Sequence, residues 1–101
     1  MDTSVKSIEK TVVEFETSLR KRGFGKCRFI ELHPLQKTGS LKFQYDLIGL
    51  LLFGGVMVEG AFPNRSLVAF EEFHVPSDSN FELLAGEHGA KILYGIGLLN
   101  K

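Results

Sequence analysis

The sequence predicts one α+β domain, residues 1–101, in which an N-terminal helix packs on an antiparallel sheet. Three observations support this prediction. The first residues carry apolar side chains at helical spacing, and later segments alternate between apolar and polar residues as strands do. The composition is that of an ordinary globular domain, with 44% apolar and 24% charged residues. A glycine-rich, buried apolar segment lies between the alternating segments.

The N-terminal helix is predicted from about residue 4 to residue 22. Its apolar positions follow one another at intervals of three and four residues, which places them on one face of a helix. They are Val5, Ile8, Val12, Phe15 and Leu19. Thr3 or Ser4 can cap the start, and Gly23 follows the end. We expect this stripe to dock on the sheet of the same chain, and the alternative is a seam between two copies, because the spacing also fits a heptad.

Five strands are predicted, the first two from alternation and the others from apolar runs, and they are separated by short loops that contain Gly, Pro, Asn or Ser. The predicted strands are Lys26 to His33, Leu41 to Leu47, Ser66 to His74, Phe81 to Leu84 and Ala90 to Leu99.

The segment from Leu47 to Gly60 is harder to assign, because it is apolar on every side. Its glycines disfavour a helix by about 1 kcal/mol each relative to alanine. Its length of fourteen residues is ordinary for a helix and long for a strand, so helix is favoured. In either form Gly54 and Gly55 are expected at close backbone approaches that leave no room for side chains, and Gly55→Val is expected to destabilise the fold by about 1–3 kcal/mol.

Charge and cysteine content exclude several classes of protein. Twelve basic residues balance twelve acidic ones, which argues against nucleic-acid and anionic-membrane partners. The most apolar run, Leu47 to Val58, is shorter than the ~20 residues of a membrane span. The start lacks a signal peptide, and a single cysteine allows no internal disulfide and no cysteine metal cage. We therefore expect a cytoplasmic protein with no metal and no cofactor.

The charges are unevenly distributed along the chain. Residues 1–45 have a net charge of +4, and residues 46–101 have a net charge of −4. The distribution is ordinary for a solvated surface whose opposite charges complement each other within one molecule. It also fits a homodimer or a larger homo-oligomer, because opposite patches steer encounters between molecules. A third interpretation is a phosphate-binding corner formed by the basic residues from Arg20 to Arg28.

Aromatic content gives the candidate site. Nine Phe and two Tyr are too many to fit inside so small a core, so some should line an interface or a ligand cavity. The residues expected near that site are Tyr45, Phe53, Met57, Phe70, Phe73 and His74.

The chemistry-bearing residues are sparse. His74 and Glu72 would share one face of a strand, and with His88 they form the best candidate for acid–base work or for metal ligation. Cys27 on an alternating strand fits a small core residue better than a nucleophile.

The order of segments resembles that of the 4-vinyl-reductase-type domain, which is related in fold to small subunits of the TRAPP trafficking complex. The resemblance rests on the run from Arg22 to Ile30, the glycine-punctuated segment from Gly49 to Gly60, and the strand from Val68 to His74 followed by Phe81 to Leu84. It implies an α+β domain that dimerises and holds a small apolar ligand in a cavity. His74 stands where that family often has a cysteine.

These observations predict a non-catalytic, dimerising module that binds an apolar small molecule or a partner segment. The alternatives are a small enzyme that uses His74 with Glu72, and a purely structural subunit of a larger assembly.

Overall fold

The computed structural model describes residues 3–25, 27–60 and 64–97, and the fold is mostly β. The elements in chain order are α1 (Thr3–Lys21), β1 (Arg28–Leu32), β2 (Leu41–Lys42), β3 (Asp46–Gly60), β4 (Arg65–Leu67), β5 (Glu72–Val75) and β6 (Asn80–Gly97). The predicted α+β class is wrong, because six antiparallel strands form the core and a single helix accompanies them in the described residues. The described residues contain no helix with the length and apolarity that crossing a bilayer requires.

Two long strands organise the sheet. β3 and β6 pair with each other over nearly their whole lengths. β1 and β2 pair with opposite ends of β6, while β5 and β4 pair with opposite ends of β3. Each long strand therefore belongs to two half-sheets, one that contains β1 and β5 and another that contains β2 and β4.

Irregular pairing separates the two half-sheets. The register of β3 against β6 shifts between Leu51 and Phe53, and again between Gly54 and Val56. Gly54 and Gly89 lie in this region with φ of 81° and 79°, a backbone conformation that favours glycine. Such bulges bend strands, and here they bend the long pair near its middle.

The bend brings the inner faces of the half-sheets together around one apolar cluster. Leu51, Phe73 and Ile92 come from the first half-sheet, and Val58 and Leu83 come from the second. Among the described residues, no polar or charged residue is buried. Apolar side chains therefore occupy the space between the half-sheets.

The helix lies on the outer face of the first half-sheet. Phe15 and Leu19 are buried there in a second cluster with Leu50 and Leu93. The predicted helix, residues 4 to 22, agrees with α1 within one residue at each end. The side chains of Val5 and Ile8, which belong to the predicted stripe, lie outside the described residues.

The segment from Leu47 to Gly60 is a strand, so the prediction of a helix is wrong. Its side chains are apolar on both sides because one side faces the core and the other faces α1. Bulges and glycines allow it to pair continuously despite its length.

The other predicted strands are located correctly and differ in their limits. The predicted strand from Ser66 to His74 is two strands, and the turn between them contains Phe70 at φ 72°. Phe81 to Leu84 and the described part of the segment from Ala90 belong to one strand, β6. The predicted strand from Leu41 is interrupted before Asp46. Lys26, Leu98 and Leu99 lie outside the described residues.

Candidate functional site

An open apolar cleft lies on the outer face of the sheet beside α1, with a volume of about 550 Å³. We call it the seam cleft, and it is lined by Glu9, Val12, Val13, Phe29, Leu52, Phe53 and Lys91. Three of its apolar side chains are largely exposed: Val13 at 61%, Phe29 at 52% and Phe53 at 60%. Contiguous exposed apolar side chains on a protein surface mark interaction sites more often than scattered ones do.

A bulge in β3 creates this cleft. Leu51 pairs with Ile92 and Phe53 pairs with Lys91, so Leu52 is the extra residue. Leu52 is buried in the cluster under α1, and Phe53 follows it on the same outer face. A regular strand would have turned one of these two side chains into the core.

Charged groups form the rim of the seam cleft. The Nζ atom of Lys91 lies 5.2 Å from the centre of the Phe29 ring and 3.7 Å from a carboxylate oxygen of Glu31. The cation–π contact and the exposed ion pair are each worth about 1 kcal/mol or less. Their effect is to hold the ammonium at the rim, where its stem covers part of the apolar wall.

A second, more polar cleft of about 300 Å³ lies between the end of α1 and strands β4 and β5. We call it the edge cleft. Its apolar wall is formed by Phe24, Ile48 and Phe73, all of which are buried. Its polar lining consists of Arg22, Arg65, Glu72 and His74.

His74 is fixed at the edge cleft by Asp46. The Nε2 atom of His74 lies 2.8 Å from Oδ2 of Asp46, and the backbone N–H of Ser77 donates to Oδ1 of the same carboxylate over 3.0 Å. Asp46 begins β3, so this carboxylate joins the first residue of one strand to the end of β5. The pair orients the imidazole and leaves more than half of the His74 side chain exposed.

The surroundings of Cys27 disfavour its thiolate form. Burial between α1 and the sheet raises the pKa of its thiol, Glu16 raises the pKa further, and Arg20 partly offsets the increase. The thiolate is the reactive form, so a raised pKa lowers reactivity at neutral pH.

The structure distributes the six predicted site residues over several places. Phe53 lies in the seam cleft, while Phe73 and His74 line the edge cleft. Tyr45 and Phe70 are exposed in the connections before β3 and β5. Met57 is half-buried on β3 and pairs with Ser66 and Leu84.

The three residues of the predicted metal or acid–base group do not come together. Glu72 and His74 both line the edge cleft, as expected for alternate residues of one strand. His74 pairs with Ile48, whereas His88 lies two residues before Ala90, the partner of Gly54. Six positions along a strand separate those partners by about 20 Å. In the part of the chain that is described, no three His, Cys, Asp or Glu side chains are grouped as a metal site requires.

Sequence reasoning missed most of the lining of the two clefts, and four of the missed residues are instructive. Val13 lies next to the predicted stripe, and the Val12–Val13 pair was a signal that the apolar face of α1 extends beyond it. Phe29 was assigned correctly to a strand, but nothing indicated that it would stay exposed. Arg22 and Arg65 meet only because the strand pairing brings their segments together.

Comparison with solved structures identifies the fold. A cupin superfamily protein from Desulfitobacterium hafniense is similar with a TM-score of 0.65 and 17% identity, over 71% of this chain and 65% of that one. The cupin domain of Drosophila melanogaster CENP-C is similar with a TM-score of 0.66 and 14% identity, over 70% of this chain and 59% of that one. KdgF from Halomonas sp. is similar with a TM-score of 0.62 and 18% identity, over 70% of this chain and 68% of that one. The chain thus spans about two thirds or less of the length of these structures.

These similarities show a cupin-like, jelly-roll β fold. The resemblance to the 4-vinyl-reductase-type domain and to TRAPP subunits is therefore wrong, since that fold would need an α+β arrangement. The order of a helix, strands and a glycine-rich segment is shared by many folds, and the strand pairing distinguishes them. No model of a protein family and no curated protein matches the sequence.

Proposed function

We propose that this chain is a non-catalytic binding module that uses the seam cleft, and that the partner seated there is a second copy of the chain. The observation that supports the proposal is the group of Val13, Phe29 and Phe53, each more than half exposed in one cleft. Jelly-roll folds host many unrelated functions, so the proposal rests on the seam cleft and the fold alone favours no particular function.

The rim of the seam cleft favours a second copy as the occupant. Glu9 and Glu31 carry negative charge beside the positive Lys91, so the same surface presents both signs. A two-fold axis through such a surface places the cation of each copy beside the acids of the other. The net charge of zero adds no long-range repulsion between two copies.

The free edge of β1 extends the same surface. β1 pairs with β6 on one side, and no described strand pairs with its other side. Phe29 lies on this strand, so an edge that could accept another strand borders the exposed apolar side chains. A dimer would cover both features together.

Sedimentation velocity from low to high micromolar concentration tests the proposal. We expect wild type to form a dimer and Phe53→Ser to weaken it at least about tenfold, because truncating a central aromatic side chain in an interface costs about 2 kcal/mol or more. Phe53 is 60% exposed, so the variant should fold. Val68→Ser is the matched control, since Val68 is 65% exposed and lies outside the seam cleft.

Three results would contradict the proposal. A wild type that stays monomeric at high micromolar concentration excludes the second copy as partner. If the dimer has the same dissociation constant in Phe53→Ser as in Val68→Ser, the seam cleft is excluded as its interface. A native mass spectrum that shows an apolar molecule retained by wild-type monomer and lost from Phe53→Ser would assign the cleft to a small ligand instead.

A further inference from the structure

Among the described residues, neither arginine of the edge cleft forms an ion pair with an acidic side chain. The ion pairs found among the described residues are His74 with Asp46 and Lys91 with Glu31. Arg22 and Arg65 line the same cleft without a described carboxylate within 4.0 Å of either guanidinium. A guanidinium offers several N–H donors in a plane, an arrangement that matches both oxygens of a carboxylate.

One of the two exposed arginines rests against a buried aromatic ring. The guanidinium carbon of Arg22 lies 6.0 Å from the centre of the Phe24 ring, a cation–π contact that restricts the side chain. Phe24 itself is only 4% exposed and makes a bridge to Gly97 of β6, so the ring is a fixed support. Less conformational entropy is lost when an arginine held in this way binds a ligand.

The remaining lining sets the chemistry of the rest of the ligand. Ile48 adds apolar wall beside Phe24, and a volume of about 300 Å³ suits a small organic molecule. Glu72 is the one acidic residue of the lining, against two arginines. Asp46 is engaged by His74 and by the backbone N–H of Ser77, so it competes little for the arginines.

We propose that the edge cleft binds a small organic carboxylate with an apolar body, whose carboxylate is held by Arg22 and Arg65 and whose body packs on Phe24 and Ile48. This site is separate from the seam cleft, because the two share no lining residue. The inference does not depend on the proposed dimer.

Three small molecules distinguish binding of the carboxylate by the arginines from packing of the apolar body on the wall of the cleft. Phenylacetate carries a ring and a charge, phenylacetamide carries the ring without the charge, and acetate carries the charge without the ring. Titrations followed by amide NMR should show phenylacetate binding most tightly, with shifts around residues 22–24 and 72–74. Equal binding of phenylacetamide, or no shifts at these residues with phenylacetate, would overturn the proposal.

Charge variants test the assignment of residues. Arg22→Gln and Arg65→Gln should each weaken phenylacetate binding about twofold to fivefold, the effect of an exposed ion pair. Arg28→Gln is the matched control, because Arg28 is exposed on β1 outside the cleft. Glu72→Gln should tighten binding, since it removes repulsion from the carboxylate. Equal weakening by Arg28→Gln would indicate nonspecific charge attraction and would refute the site.

Discussion

Gly54 and Gly55 are neighbours at the bend of β3, and alanine should destabilise the fold at Gly54 but not at Gly55. Gly54 has φ of 81°, and a Cβ atom there would collide with the carbonyl oxygen of Gly89 and lie 2.8 Å from its carbonyl carbon. Gly55 has an ordinary φ, and the nearest atom to its Cβ would be the carbonyl oxygen of Leu67 at 3.8 Å. The expectation that neither glycine has room for a side chain is confirmed for Gly54 and wrong for the Cβ of Gly55.

Two effects set the loss of stability expected for Gly54→Ala. A non-glycine residue in the left-handed region costs about 1–2 kcal/mol, and displacing the packed backbone of Gly89 adds about 1–3 kcal/mol. We therefore expect Gly54→Ala to lower the free energy of unfolding by about 2–5 kcal/mol. Gly55→Ala should be neutral or stabilise by up to about 1 kcal/mol, because alanine loses less entropy than glycine in a strand.

Urea and thermal unfolding followed by circular dichroism measure both effects. A loss of 2 kcal/mol corresponds to a fall in Tm of about 8 °C or more for a chain of this size. The two variants differ by one position in the same strand, so each controls for the other. Equal shifts for the two, or an unchanged midpoint for Gly54→Ala, would show that β3 does not bend against Gly89 as described.

Two further predictions concern Cys27 and Asp46. Because the pKa of Cys27 is raised, iodoacetamide should label the folded protein with a pH midpoint above the ordinary thiol value of 9.0, and a midpoint at or below 9.0 would contradict this. The contribution of Cys27 to the free energy of unfolding should be complete below pH 9.0 and should be lost as the pH rises through the folded-state pKa. Asp46→Ala removes the contacts to His74 and Ser77 and should lower the unfolding free energy by about 1–2 kcal/mol, with His74→Ala losing about half as much in the same urea titration; equal losses would show that the bond to Ser77 contributes nothing.

The helix could be predicted from the sequence because only one of its faces is buried. Phe15 and Leu19 repeat at helical spacing, and the residues between them are exposed or half-buried. The spacing of apolar residues in α1 therefore matches the face that is buried against the sheet. The same holds for β1, in which alternation predicts opposite faces for Phe29 and Leu32, and the structure has Phe29 exposed and Leu32 buried.

β3 could not be predicted in this way, because both of its faces are covered. Leu47 and Leu51 face the core, while Ile48 and Leu50 face α1, so alternation disappears. The bulge at Leu52 then shifts the faces by one residue, and no local signal reports such a shift. The helix predicted for this segment contributed to the wrong fold class.

The candidate site was predicted in part for the same reason. Phe53 was named because aromatic residues exceed what the core can hold, an argument from composition. Its neighbours in the seam cleft, Val13 and Phe29, are distant in sequence and meet it through the pairing of β3, β6 and β1. The edge cleft depends in the same way on the placement of Arg22 beside β5.

Amide NMR of wild type over a dilution series reports directly whether the seam cleft binds a second copy of the chain. We expect concentration-dependent shifts confined to the seam cleft and the adjoining β1 edge, at residues 12–13, 28–32, 52–53 and 91. Spectra that do not change with concentration, or shifts confined to other surfaces such as the edge cleft, would contradict it.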